Sequence, residues 1–324
     1  MSIPALADAE LQEVLAFTVA LARKAGELIL EGSAVIRATG AVDEKKNAVD
    51  LVTEYDRRVE ELVVAEIKAR YPGFKFIGEE TSSARAPMTE EPTFCVDPID
   101  GTTNFVHGFP HVCISLGLIL GKRPVLGVIY NPFLDELYTG LRGHGAFLAH
   151  PATRPALAPA RLPLSAPRPF PNLQGALLGV EWGSDRSAPL MDKKAASFTR
   201  LGGNPAEGVA GGKMAHSLRS VGSAALNYGL VAQGGLDVYW EIGCWPWDIC
   251  AGAIIAQEAG CLVAGKHGAP LDNDVDEEIL WGRKYIVIRA IGDSPTEKGV
   301  DAQKRLVREF YDTVEDFDPP APKA

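Results

Sequence analysis

The sequence predicts a layered α+β protein in which helices and sheets alternate along the chain. Three observations predict this class: apolar stripes at helical spacing near the N-terminus, a central run of closely spaced short strands, and two apolar helices that end in glycine in the C-terminal half. The chain has 324 residues, of which 46% are hydrophobic. That is enough for a large core in one big domain or in two packed lobes.

The bulk composition is that of a soluble globular protein. Its net charge of -10 argues against general nucleic-acid binding and against an anionic membrane partner. The five cysteines include no CxxC pair, so we expect buried free thiols and a reducing compartment. The N-terminus lacks the pattern of a signal peptide, and no apolar run reaches the roughly 18 residues of a membrane span. We therefore expect a cytoplasmic protein.

The N-terminal third begins with two predicted helices. The first covers 7–31, where Asp8 is a candidate cap and Gly32 a candidate end. The second covers 55–70 and stops at the turn formers of 71–73.

Strands follow these helices. Two short ones are predicted at 74–78 and 93–97, and 112–149 holds an antiparallel meander of strands separated by tight turns. The segment 151–171 contains seven prolines, which predict a loop or an extended edge.

The C-terminal half alternates again. A strand at 175–182 precedes a glycine-rich loop at 202–212 that has no side chain suited to a core. The remaining predicted elements are helices at 223–235 and 248–261, a strand at 284–290 and a helix at 296–317. The predicted organisation is an N-terminal lobe (1–150), a proline-rich connection (151–171), a C-terminal lobe (172–315) and a tail (316–324).

Carboxylates and hydroxyls gather in the stretch FCVDPIDGTTNFVHG, residues 94–108. Asp97 and Asp100 stand at the end of an apolar run, directly before Gly101 and Thr102. A helix that starts after a strand offers free N–H groups to an anion. Two aspartates beside that anion would repel it unless a cation lies between them, and Mg²⁺ binds carboxylate and carbonyl oxygens while leaving positions for phosphate and water. The stretch therefore favours a site for a metal and a phosphate.

Further acidic residues also stand at the end of a predicted strand or at the start of a predicted helix. Glu79 follows a predicted strand, Asp248 stands at the start of an apolar helix, and Asp50 and Asp56 flank Thr53. Each has a purely structural explanation as a turn or helix-cap residue, and Asp248 is expected to be an N-cap. A cap and a metal ligand can be the same residue.

Five stretches resemble the successive motifs of the inositol monophosphatase family, in the family's order over roughly residues 10–265. They are KKNAVDLVTEYD, FIGEE, VDPIDGTTNFVHGFP, RSVGSAALNYGLVAQGGLDVYWE and CWPWDICAGAIIAQEAG. The resemblance implies an αβαβα sandwich of the kind shared with fructose-1,6-bisphosphatase. It also implies a Mg²⁺-dependent, Li⁺-sensitive phosphatase that hydrolyses inositol monophosphates, usually as a homodimer.

The resemblance also assigns roles to individual residues. For about two to three Mg²⁺ ions the implied ligands are Glu79, Asp97, the carbonyl of Ile99, Asp100 and Asp248. The implied catalytic residues are Thr102, Asp56 and Glu79, with Thr102 and Asp56 orienting and activating the attacking water. The implied substrate contacts are Asp100, Gly101, Thr102, Ser184, Gly222, Ser223, Ala224 and Glu241. Lys45 and Asp50 fall in the family's mobile N-terminal segment.

Other functions stay open at this point. Thr103 and Asn104 stand where 3'-phosphoadenosine 5'-phosphate phosphatases usually carry Lys-Gly, which favours an inositol phosphate substrate. Histidinol phosphate and sugar phosphates are further candidates. A catalytically weak regulatory relative, of the kind found with fungal quinate utilisation, is the alternative from another class. The segments 151–171, 202–212 and 272–284 look longer than the family norm and keep that alternative open.

Overall fold

The fold is described by a computed structural model, which covers residues 6–39, 43–44, 51–82 and 87–319. The helices of these ranges are α1 (Asp8–Thr39), α2 (Glu54–Arg70), α3 (Thr102–His107), α4 (Ala188–Gly202), α5 (Ala224–Gln233), α6 (Pro246–Glu258), α7 (Glu277–Gly282) and α8 (Gly299–Tyr311). None of them is long and apolar enough to cross a membrane.

Fourteen strands accompany these helices in the described ranges. They are β1 (Asp43–Glu44), β2 (Leu51–Val52), β3 (Lys75–Gly78), β4 (Thr93–Asp100), β5 (Cys113–Leu120), β6 (Arg123–Asn131), β7 (Glu136–Leu141), β8 (Gly145–Ala149), β9 (Ala160–Arg161), β10 (Leu177–Val180), β11 (Ser217–Arg219), β12 (Val238–Ile242), β13 (Leu262–Ala264) and β14 (Lys284–Ile288). They form a two-stranded ribbon, a seven-stranded sheet in chain order from β3 to β9, and a five-stranded sheet in the order β11-β10-β12-β14-β13.

Helices cover both sheets and fill the space between them. Helices α1 and α2 lie on one face of the seven-stranded sheet, and α5 and α6 lie between the two sheets. Helices α4 and α8 cover the outer face of the five-stranded sheet. Three apolar cores follow from this order: one between α1–α2 and the seven-stranded sheet, one on both sides of α5 and α6, and one between the five-stranded sheet and α4 and α8. The predicted αβαβα sandwich is confirmed.

The central meander is also confirmed, since each consecutive pair of strands from β4 to β9 is antiparallel. The proline-rich segment 151–171 contributes β9, which extends the edge of this sheet. The division of the chain into two lobes at this segment stays a prediction.

Several predicted helix boundaries were wrong, and the last helix ends at Tyr311 instead of at 317. Helix α1 does not end at Gly32 but runs on to Thr39, because Gly32 is where the ring of Tyr55 packs: a Cβ there would lie 2.4 Å from the ring. Helix α6 begins at Pro246, two residues before its predicted start. The last helix begins only at Gly299, because the preceding backbone turns through hydrogen bonds onto Ser294 and Asp293.

Helices α4 and α7 and strands β11 to β13 were not predicted. Helix α4 lies between a predicted strand and the glycine-rich loop. Leu190 and Leu201 anchor it to the apolar core on the outer face of the five-stranded sheet. The loop at 202–212 is confirmed, and none of its residues is buried. Strand β12 pairs with β10 and β14 and carries Glu241.

Candidate active site

Four of the predicted metal ligands come together at one end of the seven-stranded sheet. Strand β3 pairs parallel with β4, so Glu79, directly after β3, lies beside Asp97. The Glu79 backbone N–H donates to the Val96 carbonyl at 3.2 Å. Carboxylate oxygens of Glu79, Asp97 and Asp248 all lie within 4.8 Å of one another. Asp100 ends strand β4 and lines the same cavity.

A row of glycines allows helix α6 to bring Asp248 to this place. Gly117, Gly127 and Gly140 are direct neighbours across β5, β6 and β7. A Cβ on Gly127 would lie 2.3 Å from the carbonyl oxygen of Ala251 in α6, and the other two glycines are similarly crowded by the helix. The helix can therefore lie directly on the sheet only because these positions lack side chains.

Two hydrogen bonds fix the start of the helix. The Ser115 hydroxyl donates to the Trp247 carbonyl at 3.1 Å, and the Trp245 backbone N–H donates to the Asp248 carboxylate at 2.6 Å. The prediction that Asp248 is the N-cap was wrong. Trp245 occupies the cap position, and Asp248 is the third helical residue, which reaches back to it.

Burial and mutual repulsion dominate the electrostatics of this cluster. The pKa of Asp97 is raised well above its usual value, by burial and then by the charges of Glu79, Asp100 and Asp248. The pKa of Asp248 is raised for the same reasons. Burial raises the pKa of Asp100 to about 6, although hydrogen bonds from Ser223 and Ala225 oppose the shift.

The donor set fits a hard divalent cation. Among the described residues that line the cavity, Arg186 is the only lysine or arginine, so acidic side chains outnumber basic ones on its wall. The Ile99 backbone N–H donates to Asp97 at 3.0 Å, and the Ile99 carbonyl accepts from the Thr102 hydroxyl at 3.2 Å. Carboxylate oxygens with a nearby carbonyl are the ligands that Mg²⁺ and Ca²⁺ prefer.

Asp56 and Thr102 form a second group beside the cluster. The Thr102 hydroxyl lies 3.3 Å from Asp56 Oδ1. Thr53, the N-cap of α2, donates its backbone N–H and its hydroxyl to Asp56 Oδ2 at 2.8 and 2.5 Å. Burial raises the pKa of Asp56 to about 7, and the charge of Glu79 contributes a smaller increase. The hydrogen bonds from Thr53 oppose this shift.

The backbone between β4 and α3 turns at Gly101, whose φ of +95° favours glycine. A Cβ at Gly101 would also lie 2.9 Å from the carbonyl oxygen of His111. This turn exposes the start of α3 to the cavity, so Gly101 and Thr102 line it together with Ile99.

The opposite wall is built by the segment before α5. Gly222, Ser223 and Ala224 line the cavity, as predicted for the substrate pocket. The Ser223 hydroxyl donates to Asp100 at 2.7 Å, and the Ala225 backbone N–H donates to the same oxygen at 2.7 Å. The wall and the acidic cluster are thus directly connected.

Sequence reasoning missed Glu181, which holds this wall in place. Its carboxylate accepts hydrogen bonds from the backbone N–H groups of Val221 and Gly222 at 2.9 and 3.0 Å. The Ser220 hydroxyl and the Asn227 amide donate to it as well. The available signal was an acidic residue near the end of a predicted apolar strand, as for Asp97.

Glu241 lines the cavity from β12. Its pKa is raised to about 7, first by burial and then by the charge of Glu181, while a hydrogen bond from the Tyr239 hydroxyl lowers it. Ser184 does not line the main cavity but a smaller recess beside it. Lys45 and Asp50 lie outside the described residues.

Most of these groups surround one cavity of about 540 Å³, while Asp56 is fully buried and does not line it. Of the predicted site residues, it is lined by Glu79, Asp97, Ile99, Asp100, Gly101, Thr102, Gly222, Ser223, Ala224, Glu241 and Asp248. Phe109, Glu181, Trp182 and Arg186 line it without having been predicted. The arrangement can bind divalent cations at one end and a small polar molecule at the other.

Comparison with known proteins agrees with this geometry. The model of the inositol monophosphatase family matches residues 10–305. The chain is 40% identical to protein qutG of Emericella nidulans over 95% of both chains. It is 35% identical to quinic acid degradation cluster protein x of Neurospora crassa over 97% of both chains. It is 41% identical to inositol monophosphatase 2 of Saccharomyces cerevisiae over 84% of this chain and 85% of that protein.

Solved structures agree as well. The extragenic suppressor protein suhB of Bartonella henselae superposes with a TM-score of 0.70 at 26% identity, over 92% of this chain and 98% of that one. The inositol monophosphatase of Anabaena superposes with a TM-score of 0.67 at 26% identity, over 94% and 97%. The chain therefore belongs to the inositol monophosphatase family.

Proposed function

We propose that this protein is a Mg²⁺-dependent phosphatase that hydrolyses inositol monophosphates to myo-inositol and phosphate. The observation that carries the proposal is the convergence of Glu79, Asp97 and Asp248, with oxygens within 4.8 Å, on the wall of a cavity of about 540 Å³. Inositol monophosphatase 2 of Saccharomyces cerevisiae, 41% identical, supports the substrate class.

Glu79, Asp97, the Ile99 carbonyl, Asp100 and Asp248 would hold the Mg²⁺ ions in this proposal. Bound there, Mg²⁺ supplies positive charge that offsets the phosphoryl oxygens and makes water a better nucleophile. The close approach of buried carboxylates supports this assignment, because their repulsion is relieved only by protons or by a cation.

Thr102 and Asp56 would position the attacking water and move its proton. The Thr102 hydroxyl can donate to Asp56 Oδ1 at 3.3 Å, which turns a lone pair of Thr102 Oγ1 toward a water molecule in the cavity. The pKa of Asp56, raised to about 7, lies in the range that suits a general base at neutral pH.

The remaining contacts would bind the ester itself. Gly101 and Thr102 line the cavity and would face the phosphate, while Glu241 and the wall formed by 222–224 line it as well and would face the sugar-like ring. Cys244 lines the cavity, but burial raises the pKa of its thiol well above the usual value. A neutral thiol is a poor nucleophile, which favours direct attack by water.

A regulatory role is the second candidate. It is favoured by the two fungal relatives that match over nearly their whole length, qutG and quinic acid degradation cluster protein x. The intact carboxylate cluster favours catalysis over this candidate. The phosphatase activity proposed first has variants with another substrate: 3'-phosphoadenosine 5'-phosphate, histidinol phosphate or a sugar phosphate.

Three further properties belong to the same proposal. We propose that Li⁺ inhibits the enzyme, that it acts in the cytoplasm and that it forms a homodimer. Size-exclusion chromatography with light scattering tests the last of these, and a monomer at micromolar concentration would contradict it.

The test is phosphate release from inositol 1-phosphate and from 3'-phosphoadenosine 5'-phosphate, with and without Mg²⁺ and then with added Li⁺. We expect Mg²⁺-dependent, Li⁺-blocked turnover of inositol 1-phosphate alone. Turnover of the adenosine substrate alone would overturn the substrate assignment. No release from either, with metal bound, would favour the regulatory candidate.

A further inference from the structure

A side recess of about 190 Å³ opens from the substrate cavity beyond Glu241. It shares Glu79, Gly183, Glu241, Cys244 and Asp248 with the main cavity, so a substituent on a bound ring can enter it. The volume exceeds the roughly 30 Å³ of a liquid water molecule several-fold, which leaves room for a carboxylate or a phosphoryl group. The reaction proposed above uses the shared wall of this recess but gives no role to Lys194 on its far side.

The recess contains the ammonium group of Lys194, from helix α4. Lys194 is only 3% exposed, and its Nζ donates to the Trp182 carbonyl. Among the residues that the structure describes, Nζ has no second hydrogen bond and no carboxylate in ion-pair contact. Its other near neighbour is the ring of Phe317, with Nζ 5.5 Å from the centroid. An ammonium carries three donors, and a buried charge that lacks an anionic partner is destabilising.

Gly183 keeps the path between the main cavity and this ammonium open. Its φ of +60° favours glycine, and a Cβ there would lie only 3.3 Å from Lys194 Nζ. Because Gly183 lines both spaces, any side chain at this position would narrow the passage between them.

The other charged groups of the recess are engaged elsewhere, and Glu79 and Asp248 are the residues proposed above to hold Mg²⁺, which would offset their negative charge. Arg283 donates to the Gly243 carbonyl at 2.7 Å and stacks on Trp245 at 3.9 Å, which places a second cation in the wall. The Asp185 carboxylate accepts the Ser187 backbone N–H at 2.9 Å. The Glu241 carboxylate accepts the hydroxyl of Tyr239. Lys194 is therefore the cation of the recess with donors to spare.

We propose that the recess binds a second anionic group of the substrate, a carboxylate or a second phosphoryl group, and that Lys194 determines this specificity. The preferred substrates are then ring phosphate monoesters that carry a further negative charge away from the scissile phosphate. The inference rests on the proposed function and specifies its substrate class.

Two matched pairs of substrates test it. Glucuronic acid 1-phosphate differs from glucose 1-phosphate by one carboxylate, and inositol 1,4-bisphosphate differs from inositol 1-phosphate by one phosphoryl group. We expect kcat/KM to be about tenfold higher for the charged member of at least one pair, as for a charge-assisted hydrogen bond. Which pair shows the preference distinguishes a carboxylate from a phosphoryl group.

The substitution Lys194→Met removes the charge and keeps the side-chain length. We expect this variant to lose the preference while kcat/KM for the uncharged members changes little, and Lys194→Arg to retain part of it. Lys193→Met is the matched control, because Lys193 is exposed on the same helix and donates to the Asp316 carbonyl. That control should keep the preference in full.

Calorimetric binding of the same four compounds separates this inference from the proposed function. A charged-member preference that depends on Lys194 supports the recess even if none of the compounds is hydrolysed. Equal affinity and turnover for both members of each pair in the wild-type protein would overturn the inference. A Lys194→Met variant that is impaired equally toward all four compounds would also overturn it, since Lys194 would then only support the fold.

Discussion

The two ends of the substrate cavity use carboxylates in opposite ways. At one end Asp97 and Asp248 face each other and Glu79, and burial raises the pKa values of both aspartates. At the other end Glu181 accepts hydrogen bonds from two backbone N–H groups, a hydroxyl and an amide. A carboxylate that is satisfied by N–H donors holds a loop in place, whereas carboxylates that face one another call for a cation. The comparison therefore separates the end proposed to bind metal, called the metal-binding end below, from the end proposed to bind the substrate, called the substrate-binding end.

The largest effect is expected at the metal-binding end. Asp248→Asn removes one negative charge but keeps an oxygen that can accept the Trp245 N–H, so the helix start should persist. We expect kcat to fall by about 100-fold or more, because loss of even an outer partner of a metal ligand costs 10–100-fold. Phosphate release measures kcat, and circular dichroism measures whether the fold persists. Asp192→Asn, on the exposed surface of α4, is the control that should change neither.

Thr102→Val should give the next largest effect. It removes the hydroxyl that lies 3.3 Å from Asp56 and keeps the shape of the side chain. We expect kcat to fall by about 10–100-fold with little change in KM, since the hydroxyl acts on the water and its proton. Thr102→Ser should restore most of the rate. A fully active Thr102→Val enzyme would remove this pair from the mechanism.

Glu181→Gln tests the substrate-binding end. The amide can accept at one oxygen only, so at least one of the hydrogen bonds from Val221, Gly222, Ser220 or Asn227 is lost. We expect KM to rise several-fold, up to about tenfold, with a smaller fall in kcat. Steady-state kinetics on inositol 1-phosphate provide both numbers. A selective loss of kcat would place Glu181 at the metal-binding end and break the comparison.

Gly127→Ala tests the close packing of α6, the helix that carries Asp248, on the seven-stranded sheet. The new methyl group would lie 2.3 Å from the carbonyl oxygen of Ala251 and push α6 away from the sheet. We expect a loss of about 1–3 kcal/mol in the free energy of unfolding, and therefore a Tm lower by several degrees. Gly73→Ala is the matched control, since a Cβ there has no neighbour within 4 Å. Equal Tm values for both variants would show that the close contact is not required.

Much of the metal-binding end could be predicted from the sequence, because its signals are local. Asp97 and Asp100 end a long apolar run, and Asp248 stands at the start of another. The predicted layers followed from the same periodic patterns. Such patterns depend on neighbours along the chain, which a sequence displays directly.

The substrate-binding end depends on contacts between distant segments, which local patterns do not carry. Glu181 acts on residues about 40 positions further along the chain, and the location of Lys194 depends on how α4 folds back onto β12. The extent of α1 was missed for a related reason. Glycine ends many helices because it adopts the left-handed conformation easily. Gly32 instead lies inside α1, where the absence of a side chain lets the ring of Tyr55 pack.

Calorimetric titration of the metal-free protein with Mg²⁺ tests the central claim most directly, because it measures whether the facing carboxylates bind a cation. The account predicts saturable Mg²⁺ binding by the wild-type protein. It predicts that Asp248→Asn lowers the Mg²⁺ affinity by about tenfold or more. It also predicts unchanged binding by Glu181→Gln, whose carboxylate serves the other end of the cavity. Absence of binding to the wild-type protein at millimolar Mg²⁺, or equal binding by Asp248→Asn, would contradict it.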